Sequence, residues 1–139
     1  MKRGFLYLQT HPEHPGLVRV LTQEKLPELA GPNGETHIRY VACFEDIEAG
    51  QMHLHNGMRR GLVDLENRIY RGELERMIAC VEADDLDHSR VWIDPALSGE
   101  AVRNIEVLTA RMRAGARRRD RIWQAVGIAA ILLLLLNSL

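Results

Sequence analysis

The sequence predicts an α+β protein: a small three-stranded antiparallel sheet flanked by helices, followed by a helical stalk and one transmembrane helix. Three observations predict it. Bulky and β-branched residues gather in short runs over residues 4–9, 17–21 and 36–44, separated by turn-forming segments. Leu74, Met77, Ile78 and Val81 recur at the spacing of one helix face. Residues 122–139 carry no charged side chain, and Arg111, Arg113, Arg117, Arg118, Arg119 and Arg121 crowd just before them. The expected division is a domain over 1–83, an acidic linker over 84–93, a basic helical stalk over 94–121 and a membrane segment over 122–139.

Phe5, Leu6, Tyr7 and Leu8 suit the pleated surface of a first strand. His11-Pro12-Glu13-His14-Pro15-Gly16 then reads as a turn, dense in proline and closed by glycine. Leu17-Val18-Arg19-Val20-Leu21 is the second strand, so the pair is expected to form an antiparallel hairpin. Thr22 is placed to cap a short helix through Leu29, which Pro27 confines to a first turn or a kink. Residues 30–34 read as a loop. The third strand, 36–44, puts Ile38, Tyr40, Ala42 and Phe44 on one face and His37, Arg39, Val41 and Cys43 on the other.

Glu45 or Asp46 caps the next helix, which runs to about Arg60 on Ile47, Leu54 and Met58 and is weakened by Gly50 and Gly57. After the helix at 74–81, Asp84-Asp85-Leu86-Asp87-His88 reads as a solvated linker and a domain edge. Asp94-Pro95 is positioned to start the stalk helix. Its narrow apolar stripe, Ala101, Ile105, Leu108 and Met112, is expected to pack on the head or on a second copy.

The near-neutral total charge conceals an asymmetry. Residues 1–100 hold 11 Lys and Arg against 17 Asp and Glu, whereas residues 101–139 hold 7 against 2. An acidic head collects phosphate backbones poorly, since that affinity comes from Lys and Arg, so DNA is not favoured as a partner. Cys43 and Cys80 lack CxxC spacing and read as reduced thiols of a cytoplasmic domain.

Eighteen helical residues span roughly 27 Å, close to the hydrocarbon thickness of a bilayer. A buried helix of a soluble domain usually keeps a polar face, but residues 131–136 are apolar all round. Trp123 falls at the headgroup level, and Arg117, Arg118, Arg119 and Arg121 face anionic headgroups on the cytoplasmic side. Because the chain stops there, the expectation is a single-pass tail anchor with its N-terminal domain in the cytoplasm. Ala125 and Ala129 share a small-xxx-small spacing that lets two anchors approach, which makes a homo-oligomer a further expectation.

Gly4-Phe5-Leu6-Tyr7-Leu8, then Pro15-Gly16-Leu17-Val18-Arg19-Val20, then Leu54-His55 together resemble the GIY-YIG nuclease superfamily, in particular its phage T5-type branch. Tyr70 matches the aromatic that follows in that branch, and the likeness covers roughly residues 4–83. The resemblance implies a water-activating tyrosine at Tyr7, with His55 as a further catalytic candidate. It also implies an arginine for the developing charge and a helix glutamate on one Mg²⁺ or Mn²⁺ ion.

This chain departs from that pattern in several places. Leu21 stands where a glycine is expected, and Lys25 where the arginine is expected, without its bidentate fork. Gln51 occupies the expected metal-binding glutamate position, with Glu48 one turn earlier as the substitute. No cofactor is therefore expected unless Glu48 restores the nuclease chemistry.

His11, Glu13 and His14 read as a solvated hairpin loop, since their spacing matches no zinc motif. His53 and His55, two apart on a helix, point to different faces and do not chelate together. The expected function is that of a membrane-tethered, catalytically degenerate GIY-YIG-like domain that binds a protein partner. The alternatives are an active endonuclease held at the membrane and an oligomer assembled through its tail.

Overall fold

A computed structural model describes residues 1–29 and 37–139. The first hairpin forms as its sequence implies. β1 (Gly4–Thr10) pairs antiparallel with β2 (Leu17–Gln23), with Tyr7 opposite Leu21 and Leu6 opposite Thr22. Gly16, at φ 80°, supplies the left-handed backbone of the turn, a conformation other residues rarely adopt. β3 (His37–Phe44) lies on the other side of β1. The expected loop at 30–34 and the start of this strand at Thr36 fall outside the described residues.

The predicted helix from Thr22 to Leu29 does not form. Thr22 and Gln23 extend β2, because Gln23 is held opposite Phe5 by the β1 ladder. The chain then turns, and the Gln23 side-chain amide donates to the Lys25 carbonyl at 2.7 Å. Pro27 removes a donor and disfavours helical geometry at Leu26, which leaves no room for a helical turn.

The sheet has six antiparallel strands, ordered β4-β5-β2-β1-β3-β6, rather than the expected three. β4 (Leu62–Asp64) and β5 (Ile69–Arg71) form a second hairpin that docks on β2, with Val18 opposite Tyr70. β6 (His88–Ile93) pairs with β3 at the far edge. The segment read as an acidic linker over 84–93 thus contains a strand of the sheet.

α1 and α2 pack on one face of this sheet, and α3 packs against α2 and sends Ile105 into the same core. α1 (Ile47–Met58) starts where the Asp46 carboxylate accepts the Ala49 N–H, and it buries Ile47, Leu54 and Met58. α2 (Leu74–Glu82) buries Met77, Ile78 and Val81, the stripe its spacing implies. These residues meet Leu6, Leu8, Val18, Val20, Tyr40, Ala42 and Phe44 in one core. The Tyr40 hydroxyl donates to Glu82 at 3.0 Å, and burial beside that carboxylate pushes its pKa up. Cys43 and Cys80 are both free, and burial raises the Cys80 thiol.

α3 (Gly99–Asn137) begins later than Asp94-Pro95 suggests. Asp94 instead accepts from Ala96 N–H and closes a turn to Leu97, while Ser98 caps the helix through Ala101 N–H. The helix then runs unbroken for 39 residues, about 58 Å. Its first turns bury Ala101, Ile105 and Thr109 against the head, so stalk and membrane segment are one element. Residues 121–139 are exposed throughout, and the helix is long and apolar enough to cross a membrane.

Gly50 is a packing requirement rather than a weak point of α1. A Cβ there would sit 2.6 Å from the Phe44 ring, which the core holds in place. A Cβ at Gly61 would collide with the Arg71 backbone carbonyl, which cannot swing aside. Gly50→Ala is expected to destabilise despite a helix-propensity gain of about 1 kcal/mol. Gly61→Ala is expected to cost about 3 kcal/mol, the upper end of ordinary overpacking. Urea midpoints of the two variants measure both effects, and an unchanged midpoint for Gly61→Ala would contradict the close approach.

Candidate functional site

One cleft gathers four of the residues that the sequence singles out: Glu48, Gln51, His55 and Tyr70. Glu48, Gln51 and His55 lie three and four apart on α1, so they form a single stripe. They line the cleft together with Leu65, Arg68 and Tyr70 from the β4–β5 hairpin. His55 Nδ1 and the Tyr70 hydroxyl are joined by a 2.6 Å hydrogen bond. Arg68 sits at φ 54°, a left-handed geometry that costs a non-glycine residue of order 1 kcal/mol. Its guanidinium donates to the Thr22 hydroxyl at 3.3 Å and its carbonyl accepts from Val20 N–H, so β2 fixes both ends of it.

Tyr7 is not part of this cleft. Its neighbours Leu6 and Leu8 are wholly buried under the helices, and side chains alternate along a strand. Tyr7 therefore projects from the opposite face, where its hydroxyl donates to Gln23 Oε1 at 3.3 Å. The two catalytic candidates, Tyr7 and His55, are on different sides of the sheet. Lys25 is exposed in the turn after β2 and does not line the cleft either.

The chemistry available in the cleft is one carboxylate, one amide, one imidazole, one guanidinium and one phenol. Glu48 is its only carboxylate among the described residues, and Gln51 offers a neutral oxygen beside it. Burial raises the Tyr70 phenol above its ordinary pKa, while Arg68 pulls the other way. A phenol so placed is a better hydrogen-bond partner for His55 than a base for water.

Two further clusters bring metal-ligating atoms within 4.8 Å of one another: His11, Glu13 and His14 in the first turn, and His53, Asp84 and Asp85. In the first, His11 Nδ1 already accepts the Glu13 N–H at 3.1 Å, as expected of a loop that caps itself. In the second, His53 Nδ1 lies 3.1 Å from both oxygens of Asp84, whose side chain is only 7% exposed. An ionised carboxylate only accepts, so this nitrogen carries the proton. His53 and His55 do point to different faces of α1, one toward Asp84 and one toward Tyr70.

On α3, Arg117, Arg118, Arg119 and Arg121 are exposed, and Trp123 keeps 72% of its surface free. Comparisons with family models, with curated proteins and with solved structures find no match. Side-chain placement therefore carries the functional argument. Sequence reasoning missed Arg68, a charged residue of the β4–β5 turn that lines the cleft. Its signal was faint: Asn67 followed by a residue in a tight turn between two very short apolar runs.

Proposed function

We propose that this chain is a single-pass membrane protein with a cytoplasmic head, and that the head is a protein-binding module on a degenerate GIY-YIG-like scaffold. The observation that carries the non-enzymatic part is the separation of Tyr7 from Glu48, Gln51 and His55 by the thickness of the sheet. A phosphodiesterase needs its base, its cation and its metal ligand around one phosphate. The acidic head also repels a polyanion. The arginine run ahead of the uncharged span supports the cytoplasmic orientation through the positive-inside rule.

The test is a cleavage assay on the full chain in lipid nanodiscs, with Mg²⁺ or Mn²⁺ and both single- and double-stranded DNA. No cleavage above the metal-free control is expected. Robust cleavage that vanishes in Tyr7→Phe would overturn the binding-module reading.

The cleft itself favours one second reading. Glu48, His55, Arg68 and Tyr70 line one concavity, and Mg²⁺ is often held by a single carboxylate together with substrate phosphates. An endonuclease built this way takes its base from His55 rather than Tyr7, with the Tyr70 hydroxyl holding the imidazole. Its activity disappears in Glu48→Gln and survives Tyr7→Phe, which separates it from the family arrangement.

A further inference from the structure

His53 of α1 meets the pair of aspartates that follows α2. Its Nδ1 lies 3.1 Å from each oxygen of Asp84 and 4.0 Å from Oδ1 of Asp85, and ligand atoms of all three residues lie within 4.8 Å of one another. Backbone bonds hold the aspartates in place. Ala83 N–H donates to the Ala79 carbonyl and Asp84 N–H to that of Val81, so the chain makes one more tight turn as it leaves the helix. His53 sits in the middle of α1. Two helical elements thus bring one imidazole and two carboxylates to one point.

The surroundings of Asp84 call for a cation. Its side chain is only 7% exposed, and a buried carboxylate is ordinarily paired with a cation or bound to a metal. Arg113, Arg117 and Arg119 line the same groove as these three residues. Even so, among the described residues no ion pair within 4.0 Å joins an arginine or lysine to Asp84 or Asp85. Arg113 is turned instead to the Glu82 carbonyl, at 2.7 Å. What faces Asp84 is one imidazole, and a single Nδ1–H serves two carboxylates poorly. Asp84 Oδ1 also accepts the Leu86 N–H at 2.9 Å, which leaves Oδ2 with capacity for a ligand.

From this geometry we propose that His53, Asp84 and Asp85 bind a divalent transition-metal ion of the zinc class. Its ligands are Nδ1 and one oxygen of each aspartate, with water in the fourth position. Zinc takes imidazole nitrogen and carboxylate oxygen at about 2.0–2.2 Å in a tetrahedron, which sets neighbouring ligand atoms about 3.4 Å apart. The separations of 3.1 Å and 4.0 Å bracket that value. The Asp85 side chain, 95% exposed, has the freedom to close the longer one. As the ion takes the Nδ1 lone pair, the proton of the neutral ring moves to Nε2. Mg²⁺ fits this donor set less well, because it prefers an octahedron of oxygens. The cluster in the first turn lacks the same features: His11 Nδ1 is occupied by the Glu13 N–H, and both Glu13 and His14 are exposed. A bound ion ties α1 to the chain leaving α2, a role that does not depend on what the head binds.

The test is Co²⁺ and Zn²⁺ binding by the full chain in mild detergent at neutral pH. One Co²⁺ per chain is expected, with the intense visible absorption of a tetrahedral site, and Zn²⁺ is expected to displace it. Asp85→Asn leaves the fold intact, because that side chain is exposed. Asp85→Asn and His53→Ala are each expected to weaken Zn²⁺ binding at least about tenfold, since losing even an outer-shell partner costs about 10–100-fold. His11→Ala is expected to leave binding unchanged. Three results would each overturn the site: no binding above the detergent blank, equal affinity of Asp85→Asn and wild type, or loss of binding in His11→Ala.

Discussion

Replacing Ile128 and Ile131 together by arginine is expected to abolish membrane insertion while leaving the head folded. Both residues are exposed on α3, beyond the last turn that touches the head, so their loss removes no core contact. Their effect falls on the transfer of the helix into lipid. The span from 122 to 139 holds ten Leu, Ile and Val residues. On an insertion scale these contribute roughly −3 to −6 kcal/mol together, and two arginines near the centre cost roughly 5–7 kcal/mol. The balance changes sign. Flotation on liposomes measures it: wild type is expected in the lipid fraction and the double arginine variant outside it, with Ile128→Leu/Ile131→Leu behaving as wild type. Wild-type protein that stays out of the lipid fraction would remove the anchor from the account.

The parts of the fold that were legible in sequence are those whose burial imposes a period. Leu6 and Leu8, and Val18 and Val20, alternate because one face of each strand meets the helices, whereas in β3 Val41 and Cys43 are buried beside Tyr40, Ala42 and Phe44. The i, i+3, i+4, i+7 stripe of α2 is equally plain, although Ala79, outside the stripe, is buried as well. β4 and β5 escaped notice because three residues each are too few to show any period. β6 escaped because it is an edge strand, and polar residues such as His88, Ser89 and Arg90 blunt an exposed edge. The misplaced helix after Thr22 shows a tertiary ladder overriding a local capping signal. At the site, the α1 stripe of Glu48, Gln51 and His55 followed from helical spacing alone. The alternation that buries Leu6 and Leu8 also placed Tyr7 on the opposite face. Arg68 was hidden, because its direction comes from a left-handed backbone that sequence favours for glycine or asparagine.

Ile105→Ala is expected to be the most destabilising conservative change in α3, and it tests whether head and anchor form one rigid body. Ile105 is fully buried and belongs to the central core, six residues past the start of a helix that is long and apolar enough to cross a membrane. Truncating a buried isoleucine to alanine costs about 2–5 kcal/mol, against a total stability of about 5–15 kcal/mol for a domain of this kind. A loss near 3 kcal/mol lowers the melting temperature by roughly 12–15 °C for a head of about a hundred residues. Val107, half exposed two residues on, is the control, and Val107→Ala is expected to change little. Hydrogen exchange adds the decisive detail. If Ile105 locks α3 into the cooperative unit, the variant loses protection in the sheet as well as in the first turns of α3. If only α3 loosens and the sheet keeps its protection, the head is an independent body hung from a hinged stalk.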